Sequence, residues 1–191
     1  MKIDFKFSRL LYLSNILSIY RAFLVIPLWL LIGNINNSLN LTLLILVVIT
    51  GMLSDFLDGY YARKLNQVTE EGKIIDPLAD KIVVAAVSIK LYTIGVLDPL
   101  LFWIVILRDL FIVIPAFFIS SKFKSVPPSN MTGKIAVNVI AVFFISLMFG
   151  LNKDSLIYTV LYYAAIIMII VSFSNYLLIS VKRFKGTNET L

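Results

Sequence analysis

Apolar residues fall in six long stretches, near 10–32, 40–61, 76–97, 100–121, 134–151 and 155–181, separated by short polar connections. A helix needs about 20 such residues to cross a hydrocarbon core of about 30 Å. The pattern therefore predicts an all-α integral membrane protein with six transmembrane helices. The last stretch is long enough to tilt or to project beyond the bilayer. No internal repeat, low-complexity tract or long linker interrupts the pattern, which predicts a single domain over 1–191. Residues 1–9 set Ile3, Phe5 and Phe7 beside Lys2, Lys6 and Arg9, as in a short helix lying in the membrane interface. A frayed basic terminus is the plainer alternative. The first stretch, with Asn15, Ser18 and Arg21 inside it, is too long for the apolar region of a cleaved signal peptide.

Basic residues alternate with the connections. Lys2, Lys6 and Arg9 precede the first span, Arg63, Lys64 and Lys73 lie in the second connection, Lys122 and Lys124 in the fourth, and Lys182, Arg183 and Lys185 after the last span. The intervening connections, "GNINNSLN", "IGVLDP" and "LNKDS", carry one Lys between them. This asymmetry predicts cytoplasmic termini in a multi-pass protein of the cell (inner or plasma) membrane. Composition agrees: 60% of residues are hydrophobic, 15% are charged, and the mean hydropathy is +0.94, well outside the usual soluble range. The net charge of +6 is scattered between spans. It fits loops facing anionic lipid, not a nucleic-acid-binding stripe. The absence of His and Cys excludes a conventional zinc site, a Ser-His triad, an imidazole base and disulfides.

Against that background "SDFLDGYYARKLNQVTEEGKIIDPLADK", residues 54–81, holds six of the eleven acidic residues. Asp55 and Asp58 are three apart at the end of the second span, and Asp76 and Asp80 four apart at the start of the third. Each spacing puts a pair on one helical face, and antiparallel helices joined by a short loop can bring the pairs to one depth. Four carboxylates that close repel strongly unless they share cations. Hard divalent ions, Mg²⁺ or Mn²⁺, match their oxygens, and two such ions suit a displacement at phosphorus. Gly59 leaves room for a ligand beside Asp58. Arg63 offers a forked donor for phosphate, Gly72 offers a turn, and Pro77 suits the first turn of the third span. Glu70 and Glu71 read as solvated loop residues.

The spacing Asp55-x2-Asp58-Gly59-x2-Ala62-Arg63-x8-Gly72-x3-Asp76-x3-Asp80 resembles the signature of the CDP-alcohol phosphotransferase (phosphatidyltransferase) family at every defined position. The resemblance implies a membrane enzyme with its active site on the cytoplasmic side of the helix bundle. Such an enzyme attacks the β-phosphorus of CDP-diacylglycerol with an acceptor alcohol and releases CMP in phospholipid biosynthesis. It also implies that Asp55, Asp58, Asp76 and Asp80 ligate the metals and that Asp80 is the general base. Asp58, Gly59, Ala62, Arg63 and Gly72 would line the cytidine diphosphate pocket, and the protein would be a homodimer.

Two further patches bear on the acceptor. "LSNILSIYR" resembles the Asn-x2-Thr-x2-Arg element of the family's phosphatidylglycerophosphate synthases, with Asn15, Ser18 and Arg21 on one face and Ser in place of Thr. Arg108-Asp109 in the fourth span, with Ser129 and Lys134 near the start of the fifth, reads as an anion site, because a lone Arg at that depth is costly. A structural Arg–Asp pair is the bland alternative there. Arg108-Asp109-Leu110 departs from the Arg-Glu-Phe of those synthases and is closer to the family's cardiolipin synthases. The leading acceptor is glycerol 3-phosphate, with phosphatidylglycerol as the alternative. A six-span cation transporter is a remote competitor: its ionisable residues would continue across the midplane, whereas these stop at one end of two spans.

Overall fold

The computed structural model describes residues 12–34, 38–64, 72–123 and 131–188. Among them every regular element is a helix: α1 (Leu13–Phe23), α2 (Val25–Leu31), α3 (Ser38–Lys64), α4 (Gly72–Thr93), α5 (Pro99–Phe123), α6 (Met131–Met148) and α7 (Leu156–Asn188). The segment 1–9 lies outside the described residues.

The stretch expected as one span at 10–32 is two helices, broken at Leu24. Pro27 supplies the reason. It has no N–H to return to the carbonyl of Phe23, so one rung of the ladder is missing where α1 ends. Leu24 N–H bridges the break, donating to Tyr20 and Arg21 carbonyls at 3.0 and 3.2 Å. The helix expected to begin at 76 begins at Gly72, so Gly72 opens α4 and Pro77 falls in its second turn. Gly33, Gly95 and Gly150 follow α2, α4 and α6 at φ of 90°, 73° and 80°, the left-handed conformation that ends a helix with little penalty only for glycine.

Among the described residues three helical segments are long and apolar enough to cross a membrane: Ser38–Tyr61, Met131–Met148 and Leu156–Leu178; Asn15–Leu31 is a shorter apolar segment. On α3, Leu43, Leu46, Ile49, Met52, Leu53 and Phe56 are all exposed. A helix apolar all round, with large side chains facing outward, is what a lipid environment accommodates. α7, with 33 residues, is about 50 Å long at 1.5 Å per residue, longer than a bilayer core.

The chain divides into two compact units, Met1–Ile94 and Gly95–Leu191. In the first, α1 and α2 each pack against both α3 and α4, burying Leu24, Leu28, Ile32, Leu44, Val87 and Leu91. In the second, α7 packs against α5 and α6. α6 buries Ala136, Ile140, Phe143, Phe144 and Leu147, a stripe at helical spacing. Asp98 caps α5, accepting from Leu100 and Leu101 N–H at 2.9 and 3.3 Å while Tyr162 of α7 donates to the same oxygen at 3.0 Å.

Candidate active site

The polar face of α1 is turned inward. Asn15, Ser18 and Arg21 are all buried, as their three-residue spacing on one face allows. Because α1 packs against both α3 and α4, that face meets the two acidic pairs together. Ser18 Oγ lies 2.5 Å from Asp76 Oδ1 and 3.3 Å from Asp58 Oδ2. A hydroxyl has one hydrogen to donate, so the shorter bond to Asp76 holds it.

Arg21 gathers the remaining carboxylates. Its Nη1 donates to Asp55 Oδ1 and Asp80 Oδ1, and its Nη2 to Asp58 Oδ2. Asp55, Asp58, Asp76 and Asp80 therefore close on two α1 side chains, as the sequence spacing predicts for a single site. Ser18 and Arg21, expected with Asn15 at the acceptor, lie among the carboxylates. Exposure splits the set: the side chains of Arg21 and Asp58 are 7% and 8% exposed, those of Asp55 and Asp80 63% and 51%. One wall is sealed and the other is open. Ser54, one turn before Asp58 on α3, is buried beside this site and bonds its own helix at Gly51 O, 2.8 Å away. Gly59 is half-buried. The side chains of Ala62 and Arg63 and the surroundings of Gly72 lie outside the described residues.

Among the described residues no group of three or more carboxylates is spaced to hold a metal ion; Asp55, Asp58 and Asp80 are drawn to the guanidinium and Asp76 to the hydroxyl. The chemistry of the donor set nevertheless fits hard divalent cations. It consists of carboxylate oxygens, they already converge on a cation, and one guanidinium cannot balance four of them.

In the second unit Arg108 of α5 is buried. Its Nη1 donates to Asp109 Oδ1 at 2.8 Å and its Nη2 to Ser172 Oγ of α7 at 3.2 Å, while Nε has no partner. The Arg–Asp pair is thus present, with Ser172 as a further partner. Lys134 is exposed on α6, and Ser129 lies outside the described residues. Three residues beyond Ser172 along α7, Asn175 Nδ2 donates to Thr132 Oγ1 of α6 at 3.3 Å. Ser172 gave no signal in the sequence beyond being a small polar residue in an apolar stretch.

Residues 11–174 match the family model described as CDP-alcohol phosphatidyltransferase. The chain is also 34% identical over 170 residues to a protein of Aquifex aeolicus (strain VF5) named CDP-diacylglycerol--glycerol-3-phosphate 3-phosphatidyltransferase, covering 86% of this chain and 93% of that one. Proteins of the same name are 34% identical over 139 residues in Mycoplasma pneumoniae (64% of this chain, 61% of that one) and 38% identical over 119 residues in Rickettsia typhi (62% and 66%). The match runs through the acidic site and well beyond it: the chain belongs to the CDP-alcohol phosphatidyltransferase family and is a transferase.

Proposed function

We propose that the enzyme transfers the phosphatidyl group of CDP-diacylglycerol to glycerol 3-phosphate, giving phosphatidylglycerophosphate and CMP. The observation that carries this reading is the convergence of Asp55, Asp58, Asp76 and Asp80 on one face of α1. The names of the relatives support glycerol 3-phosphate as the acceptor.

In this reading Asp55, Asp58, Asp76 and Asp80 hold two divalent ions, Mg²⁺ or Mn²⁺. Once bound, those ions neutralise charge on the diphosphate and polarise its phosphorus. Asp80, on the open side of the cluster, takes the proton of the acceptor hydroxyl. The hydroxyl oxygen forms its bond to the β-phosphorus as the bond from that phosphorus to the bridging oxygen breaks, and CMP leaves with the bridging oxygen. Asp58, Gly59, Ala62, Arg63 and Gly72 line the cytidine diphosphate pocket, Arg63 supplying a fork for a phosphate. In the first unit Asn15, Ser18 and Arg21 are assigned to the acceptor, and in the second Arg108, Ser129 and Lys134; basic residues suit its phosphate.

The same reading makes the chain one membrane domain over 1–191, consistent with a family match that runs through both compact units. It has six spans, cytoplasmic termini and a cytoplasmic active site in the cell membrane, and it works as a homodimer. Purified protein given radiolabelled CDP-diacylglycerol with glycerol 3-phosphate, phosphatidylglycerol, inositol phosphate or serine in separate reactions tests it. Product with glycerol 3-phosphate is expected. Product with phosphatidylglycerol alone would move the enzyme to cardiolipin synthesis, the reading that Arg108-Asp109-Leu110 favours.

A further inference from the structure

We propose that Arg21 is a tethered counter-cation: its guanidinium occupies the place among Asp55, Asp58 and Asp80 that divalent ions take in the working enzyme, and it withdraws when they bind. This inference rests on the metal-binding reading above.

Arg21 and a divalent ion need the same lone pairs. Asp55 Oδ1 and Asp80 Oδ1 accept from one nitrogen of Arg21, and Asp58 Oδ2 accepts from the other. An ion bound by these oxygens and the guanidinium hydrogen-bonded to them cannot both have them in full. The two cations also have different approaches. Arg21 reaches the cluster from the sealed side, at 7% side-chain exposure, whereas Asp55 and Asp80 are more than half exposed. An ion can therefore arrive from the open side and push the guanidinium back along its own stem. Withdrawal breaks the bonds at Nη1 and Nη2 only, because Nε has no partner to lose.

Charge sets the direction of the exchange. A single guanidinium leaves the four carboxylates under-neutralised, and a doubly charged ion relieves more of their repulsion. Without the ion, Arg21 bridges α3 to α4 through Asp58 and Asp80, so the cluster stays assembled until the ion arrives. After the exchange the same planar fork, on the same face as Ser18, is free to engage an anionic group of the substrate.

The test compares purified full-length protein with Arg21→Gln in detergent, after removal of metals by a chelator. Two quantities are read: the midpoint of thermal unfolding in chelator, and the Mn²⁺ dissociation constant from loss of the free-ion electron paramagnetic resonance signal. The inference expects opposite signs. Arg21→Gln unfolds at lower temperature in chelator, yet binds Mn²⁺ tighter by roughly tenfold, the weight of about one charge-assisted hydrogen bond removed from the competitor. Mn²⁺ affinity that is unchanged or weaker in a folded variant overturns it, as does an unchanged unfolding midpoint. Should Arg21→Gln fail to fold, Arg21→Lys keeps the charge but loses the fork, and a tighter Mn²⁺ constant is again required. If the unaltered protein binds no Mn²⁺, the metal-binding reading falls and the inference with it; if it binds Mn²⁺ and Arg21 does not compete, the inference alone falls.

Discussion

Arg21 of α1 and Asp58 of α3 form a buried ion pair, Nη2 to Oδ2, with side-chain exposures of 7% and 8%. Both charges are withdrawn from solvent; removing Asp58 leaves the buried Nη2 without its partner while Nη1 keeps Asp55 and Asp80, and an unmet buried charged donor is costly. Asp58→Leu is therefore expected to destabilise the protein by about 3 kcal/mol. Asp58→Asn keeps an oxygen for Nη2 and should lose less than half as much. Both should abolish CMP release. Thermal unfolding in detergent beside a turnover assay checks the pair; equal stability losses would refute the claim that the unmet Nη2 donor carries the cost.

Asp80 is the carboxylate placed to act as base. Asp80→Asn keeps the shape of the side chain and an acceptor for Arg21 Nη1, but removes the proton-accepting charge. CMP release is expected to fall by at least about 10²-fold, the lower end of general-base contributions, with the unfolding midpoint nearly unchanged. Substantial retained turnover in folded protein would remove Asp80 from that role.

Activity should require a divalent ion. Excess chelator is expected to stop CMP release, and Mg²⁺ or Mn²⁺ added beyond the chelator to restore it, because hard ions suit carboxylate oxygens. Undiminished turnover in chelator would sink the metal reading.

Ser18 holds Asp76 through the one hydrogen of its hydroxyl, at 2.5 Å, with Asp58 of the other helix 3.3 Å away. Ser18→Ala removes a hydrogen bond to a charged group, a loss of about 1.5–3 kcal/mol, and leaves Asp76 free to turn. A lowered unfolding midpoint and lower turnover are expected, with both recovered in Ser18→Thr, which keeps the hydroxyl. Failure of Thr to rescue would mean that the hydroxyl is not what matters at this position.

How much of this was legible in the sequence depends on which contacts helical spacing can resolve. Asp55 with Asp58, and Asp76 with Asp80, were readable as two same-face pairs, because three and four residues close a turn. Spacing also put Asn15, Ser18 and Arg21 on one face, but it says nothing about what that face meets. Only the packing of α1 against both α3 and α4 showed that it meets the acidic pairs. The apolar count at 10–32 hid the break at Leu24, since Pro27 disturbs backbone hydrogen bonds without changing hydropathy. Ser172 was invisible for a similar reason. A lone serine in an apolar helix usually bonds its own backbone, and nothing local marks it as the partner of Arg108, 64 positions away.

Asp98 offers a test of stability away from the chemistry. Its Oδ1 accepts from the N–H groups of Leu100 and Leu101 in the first turn of α5 and from the hydroxyl of Tyr162 on α7. Pro99 follows it at the first helical position, where the missing N–H is one the helix leaves unpaired in any case. Asp98→Ala removes both the cap and the tie between α5 and α7, and should lower stability by about 1–2 kcal/mol. Asp98→Asn retains a capping oxygen and should lose less. Tyr162→Phe removes only the tie and leaves the ring stacked on Tyr158, with centroids 5.9 Å apart. Graded unfolding midpoints, in the order unaltered, Tyr162→Phe, Asp98→Ala, are expected with CMP release preserved at temperatures below the transition. A loss of turnover that did not follow the loss of stability would assign Asp98 a part in catalysis.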